Sequence, residues 1–159
     1  MQVVSRQPSD EAPARIRPLS VLPVFLDLAG KRAVVAGGTE AAAWKAELLA
    51  AAGAVIDIFS CDGEVSDEIL RIADREPRLT IHRRRWDAAC LTGAAVVLAD
   101  AEDEAEAVAF RAAARAVGAA CNVIDRPAFC DFQFGTIVNR SPVVIGISTS
   151  GAAPILGQA

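Results

Sequence analysis

The sequence has 159 residues, which at roughly 150 residues per domain predicts one domain, or one plus a small appendage. Hydrophobic residues at 53% against charged residues at 23% are enough to bury a core, and they exclude disorder over most of the length. Sixteen basic and 20 acidic residues give a net charge of −4, so the clustered positive face that nucleic acid requires is not expected.

Aromatic residues are only 5%, Tyr is absent, and there are 33 alanines, which favours close-packed helices over an aromatic-lined sandwich. The first 18 residues hold Arg6, Asp10, Glu11, Arg15 and Arg17 with three prolines and no apolar core; they read as a mobile arm, not a signal peptide. No apolar run nears the roughly 18 residues that cross a bilayer. Cys61, Cys90, Cys121 and Cys130 are too widely spaced for a CxxC pair and read as reduced thiols of a cytoplasmic protein. His82 is the one histidine, so no metal site built from side chains is expected.

Lys31 to Ala36 reads as a buried strand entering Gly37-Gly38. Ala41 to Ala52 is helical up to Gly53, and Ala54 to Phe59 is a second strand. Ser66 can cap a helix that runs to Arg75 and stops at Glu76-Pro77. Leu79–His82 and Ala94–Ala99 are the third and fourth strands, and Arg83-Arg84-Arg85 between them is either a solvated strand exit or an anchor for substrate carboxylates. Five acids from Asp100 to Glu106 suit the positive end of a helix reaching Val117, and Ala119 to Ile124 is a fifth strand. This alternation predicts an α/β fold with a doubly wound parallel sheet, Rossmann-like. Beyond Asp125, strand-like runs at Phe132–Val138 and Val143–Ser148 predict a β-hairpin outside that sheet, with Asn139 to Pro142 as its loop. Thr149 to Pro154 then reads as a loop leading into a helix, which leads us to expect a longer parent protein.

Three segments could carry chemistry. In Gly37-Gly38-Thr39-Glu40-Ala41-Ala42, glycine serves the tight turn of a dinucleotide site and a small residue serves the helix–sheet contact; Thr39 stands at the middle glycine. Nucleotide binding at the helix N-terminus and a purely structural turn both account for it. Asp57 lies about 20 residues on, where an acid often binds ribose, but it is mid-strand and reads as an exposed strand residue or ion-pair partner. Cys61 and Asp62, just past the strand, are better placed for adenosine. Asp125 ends the fifth strand, where ligands of open α/β sheets lie; partial burial would make it a general base, whereas the plainer role is to start the turn before Pro127. Asn139-Arg140-Ser141-Pro142 and Ile147 to Pro154 can line a polar ligand or be ordinary loops.

Together, Leu22 to Leu28, Val34-Val35-Ala36-Gly37-Gly38 with Lys45, Asn122-Val123-Ile124-Asp125, Asn139-Arg140-Ser141-Pro142 and Ile147 to Pro154 resemble the N-terminal module of siroheme synthase, the precorrin-2 dehydrogenase/sirohydrochlorin ferrochelatase family. The resemblance runs from about Leu19 to the end. It implies an enzyme that uses NAD to oxidise precorrin-2 to sirohydrochlorin and then inserts ferrous iron, a substrate and not a bound metal, to give sirohaem. It further implies that Asp125 is the acid/base of both steps, that Gly37, Gly38, Thr39, Glu40 and Ala41 hold the pyrophosphate, and that Cys61 and Asp62 flank the cofactor. Asn139, Arg140, Ser148 and Thr149 fall to the tetrapyrrole, and Thr149 matches a hydroxyl residue that is phosphorylated in some members. Residues 1–18 would be an arm, 19–131 the NAD domain and 132–159 the start of a homodimerisation region that the family continues. Thr39 stands where the family usually has Gly, and Ala101-Glu102 where it often has Thr-Asp. The rival from another class is a non-catalytic NAD-sensing or scaffolding domain. Another small Rossmann reductase is disfavoured because no Tyr or Cys/His pair can donate a proton.

Overall fold

The computed structural model describes residues 16–61 and 63–149. Most of the expected arm, Asp62, and the segment from Ser150 onward lie outside the described residues. The described chain divides into two units, Phe25–Phe134 and a smaller one formed by residues 16–24 and 135–149.

In the larger unit, β1 (Arg32–Ala36), β2 (Val55–Phe59), β3 (Leu79–His82), β4 (Val96–Ala99) and β5 (Ala120–Val123) form one parallel sheet in the order β3-β2-β1-β4-β5. Every residue of β4 is buried, as expected for a strand covered on both faces. Helices α1 (Glu40–Ala51) and α2 (Asp67–Arg75) cover one face, where Ala42, Ala46 and Leu49 meet Val35, Ile56, Ile58, Ile69 and Leu98. Helix α3 (Glu104–Val117) covers β4 and β5 on the other face through Ala107, Phe110 and Ala114. The alanines of α1 and α3 let the helix backbones lie close to the sheet, the packing that the composition foreshadowed. The chain therefore leaves β1 toward one side and β4 toward the other, and a crevice opens between their carboxyl ends.

The helix limits follow from local chemistry. Ser66 caps α2 by accepting the Ile69 N–H at 3.3 Å, and Asp103 caps α3 by accepting the Glu106 N–H at 2.8 Å. Gly118 ends α3 in the left-handed region, at φ 74. The β3–β4 connection carries no α-helix, only a single 3-10 turn at Ala88–Leu91, capped by Asp87 and stopped at Thr92-Gly93. The edge strand β5 is protected by the segment after it, since Asp131 donates its N–H to Cys121 O at 2.7 Å and accepts the Cys121 N–H at 3.1 Å.

In the smaller unit, β6 (Thr136–Arg140) and β7 (Val143–Ile147) pair antiparallel across a Ser141-Pro142 turn with a cis peptide bond. The hairpin is confirmed, with a correction. Asn139 and Arg140 belong to β6, because Arg140 pairs with Val143 and only two residues remain for the turn.

Candidate active site

The carboxyl ends of β1, β4 and β5 are aligned by the hydrogen-bond ladder. Asp100 donates its N–H to Ala36 O at 2.8 Å, and Ile124 donates to Ala99 O at 2.8 Å. Gly37, Asp100 and Asp125 thus follow these strands along one rim.

Both glycines of the first turn are required. Gly37 has φ +120, and a Cβ there would lie 2.8 Å from the Asp100 Cβ. At Gly38 a Cβ would run into the Glu64 carbonyl oxygen and the Ser60 hydroxyl, while the Gly38 carbonyl accepts the Ser66 N–H at 2.7 Å. Thr39 is the N-cap of α1: its Oγ1 accepts the Ala42 N–H at 3.3 Å and donates to Asp100 Oδ2. A residue that reads as a damaged fingerprint glycine is a cap, because Thr supplies the acceptor that the first helical turn needs. Glu40 and Ala41 are the exposed first residues of α1, whose N–H groups have no carbonyl one turn earlier to bind.

The loop after β2 forms the next wall. Cys61 is half-buried and directs its N–H to Glu64 Oε2 at 3.4 Å; Asp62 lies outside the described residues. Ser60, which the sequence reading passed over, is buried beside Gly38, and its hydroxyl has no hydrogen-bond partner among the described residues. A glycine cradle that a Cβ would fill, an orphaned hydroxyl and a helix N-terminus fit the phosphates of a dinucleotide. Asp57 does not face this site. Its carboxylate binds Arg32 Nε and His82 Nε2, each at 2.7 Å, in agreement with the ion-pair reading. Burial alone would raise its pKa, but the His82 and Arg32 hydrogen bonds outweigh that and hold it below the usual carboxylate range.

Four of the five acids after β4 have separate duties. Asp103 caps α3, and Glu106 binds the Trp86 indole N–H and the Glu102 N–H, each at 2.9 Å. Glu102 pairs with Arg85 at 3.3 Å, and Arg84 reaches Asp87 at 3.0 Å while lying over the Phe59 ring. Asp100 is left at the crevice with Thr39; the signal for it was an acid one residue past a buried strand that neighbours β1.

Asp125 is exposed, so the partial burial expected of it is not found. Its φ of +57 is the one left-handed conformation of a non-glycine among the described residues, in a turn closed by the Arg126 N–H to Val123 O at 3.1 Å. Asp tolerates this region better than most residues. The turn role is thus observed, and it leaves the carboxylate exposed to solvent. Asn122 is buried and donates to Phe132 O at 2.8 Å, fixing the segment after β5.

The structure places Gly37, Gly38, Thr39, Glu40, Ala41, Cys61 and Asp125 on the carboxyl side of one sheet. Asn139, Arg140, Ser148 and Thr149 belong to the smaller unit. There Asn139 Oδ1 accepts the Ser141 N–H at 3.0 Å, the Arg140 guanidinium bonds the Asn139 carbonyl, Ser148 is exposed and Thr149 half-buried.

Residues 24–136 match the family model described as "Putative NAD(P)-binding". The chain belongs to this family. It is also 37% identical over 140 residues to siroheme synthase of Psychrobacter sp. (strain PRwf-1), 39% to that of Pseudomonas putida (strain F1) and 35% to that of Methylococcus capsulatus (strain Bath). These matches cover 88% of the chain and 28%, 30% and 29% of the relatives, so the chain spans less than a third of their length. The resemblance read from the motifs is thereby confirmed. Among solved structures, "SirC, precorrin-2 dehydrogenase" matches with a TM-score of 0.64 and 22% identity, over 87% of this chain and 66% of that one, which supports the fold. No helix among the described residues is long and apolar enough to cross a membrane.

Proposed function

We propose that this chain is an NAD-dependent precorrin-2 dehydrogenase module of sirohaem biosynthesis, and that the same crevice serves ferrous iron insertion into sirohydrochlorin. The observation that carries this is the rim Gly37–Asp100–Asp125: a phosphate cradle and an exposed carboxylate at the ends of neighbouring strands. The siroheme synthase relatives supply the substrate.

When bound, NAD is the hydride acceptor. Gly37, Gly38, Thr39, Glu40 and Ala41 would hold its pyrophosphate through backbone N–H groups, and Cys61, with Asp62 next to it in the sequence, would flank the adenosine. Two hydrogens leave precorrin-2: one as hydride, and one as a proton to the Asp125 carboxylate. In chelation, Asp125 relays the two pyrrole protons that Fe²⁺ displaces, and the macrocycle supplies the nitrogen ligands. Asp125 sits in a left-handed turn and is exposed there.

The hairpin exposes Ile137, Val143, Val144, Ile145 and Ile147, which suits pairing with a second copy in a homodimer. Asn139, Arg140, Ser148 and Thr149 would then act on the tetrapyrrole. The four free thiols accord with a reducing cytoplasm.

Incubating the protein with precorrin-2 and NAD should produce sirohydrochlorin absorbance and NADH in equal amounts. NAD binding with neither product would overturn the reading in favour of a sensing domain.

A further inference from the structure

Lys45 lies on α1, away from the glycine turn, and its ammonium is clamped between two rings: its Nζ is 4.2 Å from the Trp44 centroid and 4.2 Å from the Phe134 centroid. Rings hold a cation but accept no ordinary hydrogen bond, and an ammonium has three donors. Among the described residues, Lys45 makes no hydrogen bond and no ion pair within 4 Å. Burial pushes its pKa down, and the acidic groups that face it, Asp125 and Cys130, pull it back up. The charge is therefore partly stripped of water, without a partner, and on the Asp125 side of the molecule.

The surroundings are held in place. Phe134 packs on Phe132 with centroids 5.5 Å apart, and Phe132 O is fixed by the buried Asn122 amide. Cys130 Sγ is tied to the β5 backbone through Val123 N at 3.3 Å and Val123 O at 3.2 Å. A lysine that served only to cover apolar surface would carry its ammonium out to water. Here β5 and the segment after it build the wall that keeps it in.

We propose that Lys45 is the anchor for a carboxylate of the substrate, seating a carboxylate-rich tetrapyrrole with its reacting carbon at Asp125. This rests on the function proposed above and adds a binding residue to it. Precorrin-2 and sirohydrochlorin each carry eight acetate and propionate groups, and Asp125 alone would repel them. Lys45 offsets that repulsion and offers three unused donors to a carboxylate oxygen.

The test compares the protein with Lys45→Met and Lys45→Arg, using sirohydrochlorin as the probe and Trp44 emission, in a Trp86→Phe background, as the readout. Lys45→Met should weaken sirohydrochlorin binding about tenfold and raise the KM for precorrin-2 more than it lowers kcat. The Kd for NAD and the thermal midpoint should stay put, and Lys45→Arg should restore most of the affinity. With the octamethyl ester of sirohydrochlorin, the difference between wild type and Lys45→Met should vanish. Unchanged sirohydrochlorin binding in Lys45→Met, or an equal loss of NAD binding, would overturn the anchor while leaving the function standing. A wild-type protein that binds NAD but neither tetrapyrrole would overturn both.

Discussion

The parallel sheet and the hairpin are made of similar residues and differ in what surrounds them. All of β4 (VVLA) is buried, and all of β7 (VVIGI) is exposed. A valine in β4 has its position dictated by both neighbouring strands and by helices on both faces. Among the described strands, one in β7 pairs with β6 alone. Functional groups on the sheet are consequently held by several constraints at once, and those on the hairpin by few.

The glycines provide the sharpest test of that difference. Gly38→Ala drives a methyl into the Glu64 carbonyl and the Ser60 hydroxyl, and the carbonyl belongs to backbone that cannot swing aside. Overpacking of this kind costs about 3 kcal/mol, so urea unfolding should shift by that much, and NAD binding should be lost with the turn. Gly146→Ala in β7 meets nothing within 4 Å and should change stability by less than about 0.5 kcal/mol. Equal costs at the two positions would erase the distinction.

Asp125 is next in size. Asn keeps a short polar side chain that tolerates φ +57, so Asp125→Asn should leave the fold and NAD affinity nearly intact. Precorrin-2 oxidation should fall by about 10²-fold. A loss under about tenfold in steady-state turnover would leave Asp125 as a turn residue only.

How much of this was legible in the sequence depends on the range of the interaction. The strands and helices of the sheet were, because each is set by an apolar run and by its own capping residue, such as Ser66 or Asp103. The capping role of Thr39 was not read because a motif template asks only whether glycine is present; its cap to Ala42 is local, whereas its bond to Asp100, 61 residues away, depends on β1 lying beside β4. Asn139 and Arg140 were read as loop because polar residues before Pro resemble a loop, whereas pairing with Val143 and Val144 extends β6 through them. Lys45 was visible as part of a motif, but its aromatic clamp required Phe134 to return to α1. The exposure of Asp125 could not be read from a strand end.

The Thr39–Asp100 contact sharpens the comparison inside the sheet. It sets a carboxylate beside the turn where pyrophosphate would bind, and two unit charges about 4 Å apart in water interact by about 1 kcal/mol. Asp100→Asn should therefore tighten NAD binding about fivefold at low salt, with the gain shrinking as ionic strength rises. Thr39→Gly should follow the same direction more weakly, since Gly is a tolerable N-cap. Calorimetric titration giving weaker binding in Asp100→Asn would assign the carboxylate to the cofactor ribose.

The smallest effect contrasts two arginines. Arg32 ties the sheet together: it binds Asp57 and also donates to Cys90 O at 2.8 Å and Thr92 O at 2.9 Å, joining β1, β2 and the turn before β4. Among the described residues, the Arg140 side chain bonds only the carbonyl of its neighbour Asn139. Because Asp57 has a lower pKa folded than unfolded, it binds fewer protons in the native state, and its contribution is present above the unfolded value of about 3.9. That contribution is lost as pH falls through the depressed folded value. The urea midpoint of the wild type should thus drop more steeply below about pH 5 than that of Asp57→Asn, which has no such proton to gain. Arg140→Ala should follow the wild-type curve throughout, because the hairpin arginine is coupled to no titrating partner that folding holds in place. Parallel curves for wild type and Asp57→Asn would mean that the Arg32–Asp57–His82 cluster adds nothing to the sheet beyond its strand pairing.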